Sequence, residues 1–182
     1  RAKLAPPYTL FLGGTETYGR FVPRPYPALL GDTLGITAVN MGVVNAGLDA
    51  FAGDDTVLDV ARRAETVVVQ LVGAQNLSNR FYSVHPRRND RFLGASEALQ
   101  ALYPEVDFTE FSFTRHMLTT LETQCPERFR QVAEAVQSRW SAQMDLLMTA
   151  AGDRVELLWL ADAPPPQEAT SLIDGIDPLF VD

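Results

Sequence analysis

Three short apolar runs, each stopped by glycine, limit what this chain can become more than any other feature. Tyr8 to Leu12 runs into Gly13-Gly14, Ile36 to Met41 into Gly42, and Val67 to Val72 into Gly73. Such runs are too short for buried helices, and their β-branched and aromatic content suits strands. The third is the least ambiguous: three successive valines, then Gln70, Leu71 and Val72, the composition of a strand buried in a parallel sheet. Arg154 to Leu160 reads as a fourth strand.

Helical patterns fall between these runs. Pro25 to Leu34 can form a short helix stopped by Gly35. Asp54 or Asp55 caps a helix that puts Val57, Val60, Ala61 and Ala64 on one face. Pro126 suits the first turn of the best-patterned segment, whose stripe runs Phe129, Val132, Ala133, Val136, Trp140, Met144 and Leu147. The middle is different. Gly73 to Pro104 reads as polar and loop-rich, with weak helix signals around Ser96 to Leu102. Asp107 and Glu110 form a capping-box pattern, which predicts a helix with Phe108, Phe111, Leu118 and Leu121 inward. Pro164-Pro165-Pro166 breaks whatever follows.

Strands alternating with helices imply βαβ units with right-handed crossovers. The expected fold is a flavodoxin-like three-layer α/β sandwich with a mainly parallel sheet. No repeat and no long linker divides the chain, so one domain is expected over residues 1–182. The start at Arg1 and the apolar finish Leu179-Phe180-Val181-Asp182 suggest a piece of a longer protein at both ends.

Composition excludes some partners. An apolar share of 46% and a charged share of 21% are those of a globular chain. No run approaches the roughly 18 apolar residues of a membrane helix, so no membrane partner is expected. A formal charge of −8 argues against broad nucleic-acid binding. The lone cysteine, Cys125, cannot form an internal disulfide, which fits a reducing, cytoplasmic compartment. With two histidines besides, it offers no metal-ligand spacing, so neither a metal nor another cofactor is expected.

In doubly wound sheets, ligands bind beyond the carboxyl ends of the strands, where the strand order reverses. With a flavodoxin-like order, the loops after the first and third strands, Gly13 to Gly19 and Gly73 to Arg80, face each other. Thr15 then lies where a nucleophile would, on a glycine turn whose amides can meet an oxyanion. Taken alone, the turn favours a plainer role, with Thr15 and Thr17 bonding its own backbone. A phosphate-binding loop fits poorly, because the Gly-Lys-Ser/Thr element is absent.

Gly13-Gly14-Thr15-Glu16-Thr17-Tyr18-Gly19 resembles the Gly-Asp-Ser-x-Thr-x-Gly block that opens the SGNH (GDSL) hydrolase superfamily. Asn40-Met41-Gly42-Val43-Val44-Asn45-Ala46-Gly47 resembles its second block, and the Val67–Val72 strand leading into Gly73-Ala74-Gln75-Asn76 resembles its third. The blocks occur in the superfamily's order, each at a strand end. The resemblance implies an ester hydrolase or acyl transferase, acting on a small-molecule substrate such as an acylated carbohydrate. It places Thr15 in the nucleophile position and Gly14 where the superfamily has aspartate. The oxyanion glycine falls on Asn45, or on Gly47 with a two-residue shift. Gln75 aligns with the third block's asparagine and Asn76 with its aspartate, although a small bulge gives Asn76 the asparagine role. Threonine's methyl restricts its rotamers and crowds the path of attack. The last block, Asp-x-x-His, has no match, and its histidine is expected beyond Asp182. The chain is also similar to an uncharacterised bacterial family of unknown function, through Phe11 to Arg20, Gly73 to Arg80 and Val84 to Arg91.

One basic cluster stands out in this acidic chain: Arg80, Arg87, Arg88 and Arg91 with His85, against Asp90 alone. It can clamp a carboxylate, sulfate or phosphate, or serve as a solvated loop. His85 suits an anion ligand or stand-in base, but more simply a structural hydrogen bond. His116 suits helix-face packing, and Cys125 a helix cap. Two functions follow for Gly14, Thr15, Glu16, Asn45, Gly47, Gln75 and Asn76. One is an acyl-ester site; the other is a non-catalytic pocket whose anionic ligand is held by Arg80, Arg87 and Arg88.

Overall fold

The computed structural model describes residues 4–165 together with Val181. The Leu179–Asp182 finish therefore lies outside the described residues except for Val181, which is buried, and so does Pro166 of the proline run.

Four parallel strands form the main sheet: β1 (Thr9–Leu12), β2 (Ala38–Asn40), β3 (Thr66–Gln70) and β6 (Val155–Leu158), in the order β2-β1-β3-β6. Register pairs Leu10 with Val39 and Val67, and Leu12 with Val69. These side chains share one face, because strand side chains alternate. That face is covered by α3 (Asp49–Ala52), α4 (Asp55–Arg63) and the second half of α7 (Pro126–Ala151). The other face carries Thr9, Phe11, Val68 and Gln70. Helix α2 (Tyr26–Leu34) lies there, its Tyr26 ring edge-on to Phe11 at 5.8 Å. Asp54, rather than Asp55, caps α4, accepting from the amides of Thr56 and Val57. Pro126 begins α7 where its missing N–H costs nothing. The second strand is shorter than its apolar run, three residues rather than Ile36 to Met41.

The middle of the chain departs from its sequence reading. The segment expected to be loop holds an antiparallel hairpin, β4 (Tyr82–His85) with β5 (Arg88–Ala95), while α5 (Glu97–Leu102), capped by Ser96, forms where the weak helix signals lie. Asp107 does cap, but it closes only a 3-10 turn over Phe108–Glu110. Phe113 then goes extended (φ −129°, ψ 140°) to bridge with Arg91. That bridge takes the backbone out of helix, so α6 spans Thr114–Gln124 and starts later than predicted.

This middle region has its own core. Tyr82, Val84, Phe92, Leu99, Tyr103, Met117, Leu118 and Leu121 bury against Phe129, Val132 and Val136 of α7. Met144, Leu147 and Ala151 of the same helix belong to the sheet core, and Trp140 packs against both. Among the described residues no helix is long and apolar enough to cross a membrane.

Candidate functional site

The turn after β1, which holds the one-turn helix α1 (Thr15–Tyr18), is organised from below by Gln70, the last residue of β3. Its buried Oε1 accepts from the amides of Gly14 (3.0 Å) and Thr17 (3.3 Å) and from Thr17 Oγ1 (2.6 Å). Its Nε2 donates to Glu16 Oε2 at 2.9 Å. One amide thus satisfies three donors of a turn that could not otherwise be buried at the sheet edge. Thr17, fully buried, also meets the Tyr26 hydroxyl at 3.0 Å, and burial raises the Tyr26 phenol's pKa above its ordinary value. Thr17 is therefore a structural residue. Gln70 escaped the sequence reading because it sits in a valine-rich run; a lone polar residue there was the available signal.

The second loop is pressed against this turn. Asn40 Nδ2 donates to the Thr17 carbonyl at 2.6 Å, and Asn40 Oδ1 accepts from the Gly42 amide. A β-carbon at Gly42 would overlap the backbone of Thr17 and Tyr18, and one at Gly47 would overlap the Asn76 carbonyl. Only glycine permits these approaches. Between them Asn45 adopts a left-handed backbone, φ 56°, a conformation asparagine tolerates better than most residues. That turn aims the Asn45 amide at Thr15 Oγ1, 3.2 Å away, while the Thr15 hydroxyl donates to Asn45 Oδ1 at 3.2 Å.

Thr15, Gly14, Glu16, Asn45, Gln75 and Asn76 line one open pocket of about 240 Å³ between the ends of β1 and β3, with Leu160 on its rim. This is the reversal point of the strand order, since β1 has β2 on one side and β3 on the other. Gln75 lies on the 3-10 turn Ala74–Asn76, with its backbone carbonyl held by the Tyr82 hydroxyl at 2.8 Å. The Gln75 side chain is nine-tenths buried, and its Oε1 is unpartnered. Asn76 is committed elsewhere: its Oδ1 accepts from Thr114 Oγ1 at 3.1 Å. The Gly47 amide is committed too, donating to Asn89 Oδ1 of the hairpin at 3.1 Å.

The basic cluster does not gather at this pocket, because the hairpin separates its members. His85 Nδ1 accepts from the amides of Arg87 and Arg88 (3.1 and 3.2 Å), so the imidazole closes the hairpin turn. Arg91 stacks on Phe113, and Arg80 on Phe81. None of Arg80, His85, Arg87 and Arg88 lines the Thr15 pocket. His116 packs edge-on to Phe111 at 5.0 Å, on α6. Cys125 is the N-cap residue of α7, and hydrogen bonding by the Arg128 amide lowers its thiol pKa. Among the described residues no group of three His, Cys, Asp or Glu side chains comes together as metal ligands would.

No curated protein matches this chain. Among solved structures it is similar to the crystal structure of the lipase Lip_vut3 from a goat rumen metagenome, at 13% identity and a TM-score of 0.43. The match covers 86% of this chain and 65% of the lipase, so the chain spans less than two thirds of that protein. A family model matches residues 1–182, and the chain belongs to the family described as Domain of unknown function (DUF6473).

Proposed function

We propose that the Thr15 pocket is an SGNH-like acyl-ester site on a flavodoxin-like sheet, hydrolysing or transferring the acyl group of a small ester such as an acylated carbohydrate. The observation that carries this reading is the meeting, in one pocket at the strand-order reversal, of a hydroxyl, a backbone amide aimed at it and a buried side-chain amide whose oxygen has no protein partner. Thr15 Oγ1 attacks the ester carbonyl carbon, and the Thr15 hydroxyl proton passes to the oxygen of the leaving alcohol as its bond to that carbon breaks. In hydrolysis a water oxygen then attacks the acyl carbon, the bond from that carbon to Thr15 Oγ1 breaks, and one water proton restores the Thr15 hydroxyl while the acid leaves. The Asn45 amide, which rests on Thr15 Oγ1 in the free protein, turns to the carbonyl oxygen as negative charge grows there, and Gln75 Nε2 supplies a second donor. Of the two oxyanion candidates in the second loop, Asn45 suits the role better, since the Gly47 amide is taken by Asn89.

A second reading is a binding pocket without chemistry. It is favoured by the Thr15 hydroxyl, which donates to the neutral Asn45 Oδ1 rather than to a base. Hydrolysis of p-nitrophenyl acetate separates the two. An acyl-ester site predicts that Thr15→Ala loses at least about a hundredfold in kcat/KM, while Thr15→Ser equals or exceeds the parent. Equal turnover by the parent and Thr15→Ala removes Thr15 from any mechanism and leaves the binding reading.

A further inference from the structure

The loop after β2 carries Asn45 in its left-handed turn, and that turn is gripped at both ends. At the near end the Val43 amide donates to the Gly13 carbonyl at 2.9 Å. The far end is Gly47, whose amide donates at 3.1 Å to Oδ1 of Asn89, on β5 of the hairpin. Asn89 is only 2% exposed, and its Nδ2 donates to the His85 carbonyl at 3.3 Å. Both ends of this buried amide are thus in use. One fixes it to its own hairpin, and the other reaches the site loop.

The opposite side of Gly47 is closed by the same region. A β-carbon there would overlap the Asn76 carbonyl, and the Asn76 side chain is held in turn by Thr114. The Thr114 hydroxyl lies 3.1 Å from Asn76 Oδ1 and 3.2 Å from the carbonyl of Asp90, the next residue of β5. Gly47 therefore sits between two groups fixed by neighbouring residues of one strand. A buried amide that loses its acceptor must find another or turn to solvent. At Gly47 such a turn disturbs Asn45, two residues before it, because a non-glycine residue keeps φ 56° only where its surroundings impose it.

We infer that Asn89 is a positioning residue for the Thr15 pocket: by holding Gly47, it keeps the Asn45 amide aimed where an oxyanion forms. The hairpin then completes a site whose polar residues come from the loops after β1, β2 and β3. The catalytic consequence rests on the acyl-ester reading, whereas the aim of the Asn45 amide can be read without any substrate. An oxyanion donor acts as charge develops, so a misaimed one lowers kcat and leaves KM nearly unchanged.

NMR of the amides, with p-nitrophenyl acetate hydrolysis alongside, tests this. Thr15→Ala removes the acceptor of the Asn45 amide directly and marks where that amide signal goes when the bond is lost. In Asn89→Ala the Asn45 signal should move the same way, and the Gly47 amide should exchange at least about tenfold faster, while Leu10 and Val67 of the sheet stay protected. kcat should fall about tenfold with KM little changed. Asn89→Asp keeps an acceptor for Gly47 and should restore the Asn45 signal and most of kcat. If Asn89→Ala does not fold, Asn89→Ser is read in the same way. An Asn45 signal that stays at the parent's position overturns the inference, as does a kcat loss that Asn89→Asp does not lessen. If the parent itself leaves the ester intact, the acyl-ester reading fails, and the Asn45 signal alone decides whether Asn89 aims that amide.

Discussion

The sheet core and the hairpin core are built from different materials around one shared helix. The first is mainly aliphatic: Leu10, Leu12, Leu48, Val57, Val67 and Val69 pack with little side-chain polarity, Tyr8 apart. The second is aromatic and pinned by phenols. Tyr82, Phe92, Phe108, Phe111 and His116 follow one another at ring separations of 5.0 to 6.5 Å. Tyr103 donates toward the carbonyls of Leu121 and Cys125, each 3.1 Å away, tying α5 to the junction of α6 and α7. A sheet with regular backbone pairing can rely on close-packed aliphatic layers. A region of short elements has fewer backbone bonds of its own and uses long side chains to reach across.

The largest test of that contrast replaces one buried leucine in each core. Leu10→Ala and Leu118→Ala should each cost about 2–5 kcal/mol, because both side chains are fully buried. Their hydrogen-exchange patterns should differ: Leu10→Ala lowers protection throughout, while Leu118→Ala lowers it mainly in the hairpin, α5 and α6. Uniform loss in both variants would show one cooperative unit and break the comparison. A smaller effect is expected from Gln70→Leu. Three donors of the Thr15 turn lose their acceptor, at a cost of roughly 1–3 kcal/mol in urea unfolding. The hairpin core should be untouched, since Gln70 contacts none of it through these bonds.

The smallest effect is a pH dependence in the second core, read at Tyr103. Burial pushes the Tyr103 phenol up to about 12, from the ordinary value near 10. The folded state thus favours the protonated form. Its stabilising contribution is full below about pH 10 and is lost as pH rises through the folded value. Tyr103→Phe should cost about 1 kcal/mol at neutral pH and flatten the alkaline fall in α5 protection. An unchanged alkaline profile would assign the fall to another group.

The same contrast decides what the sequence could reveal. β1, β3, α4 and α7 were legible because each carries its burial in an unbroken run or a helical stripe. The hairpin was not, although Tyr82 and Val84 do alternate with exposed Ser83. The arginines and asparagines on either side of its turn resemble a solvated loop, and β5 pairs through a register shift. The Phe108 helix failed for a tertiary reason: Phe113 bridges to Arg91, a contact no local pattern reports. At the candidate site, the turn motifs located Thr15, Asn45 and Gln75. Gln70 acts through partners 53 to 56 residues away, beyond the reach of spacing arguments.

A consequence of the shared helix concerns the order in which the protein is made. β1, β2 and β3 leave the ribosome early together with α3 and α4, but the second half of α7, which completes the cover of their aliphatic face, comes after the entire hairpin region. At ordinary elongation rates the three strands wait several seconds for it. The hairpin core needs only the first half of that helix and can close sooner, leaving its second half to dock as it emerges. Trp140, whose indole N–H reaches the Val72 carbonyl at 2.9 Å, stands where that docking begins. During synthesis, then, the later-encoded region supplies the last part of the cover over the earlier strands.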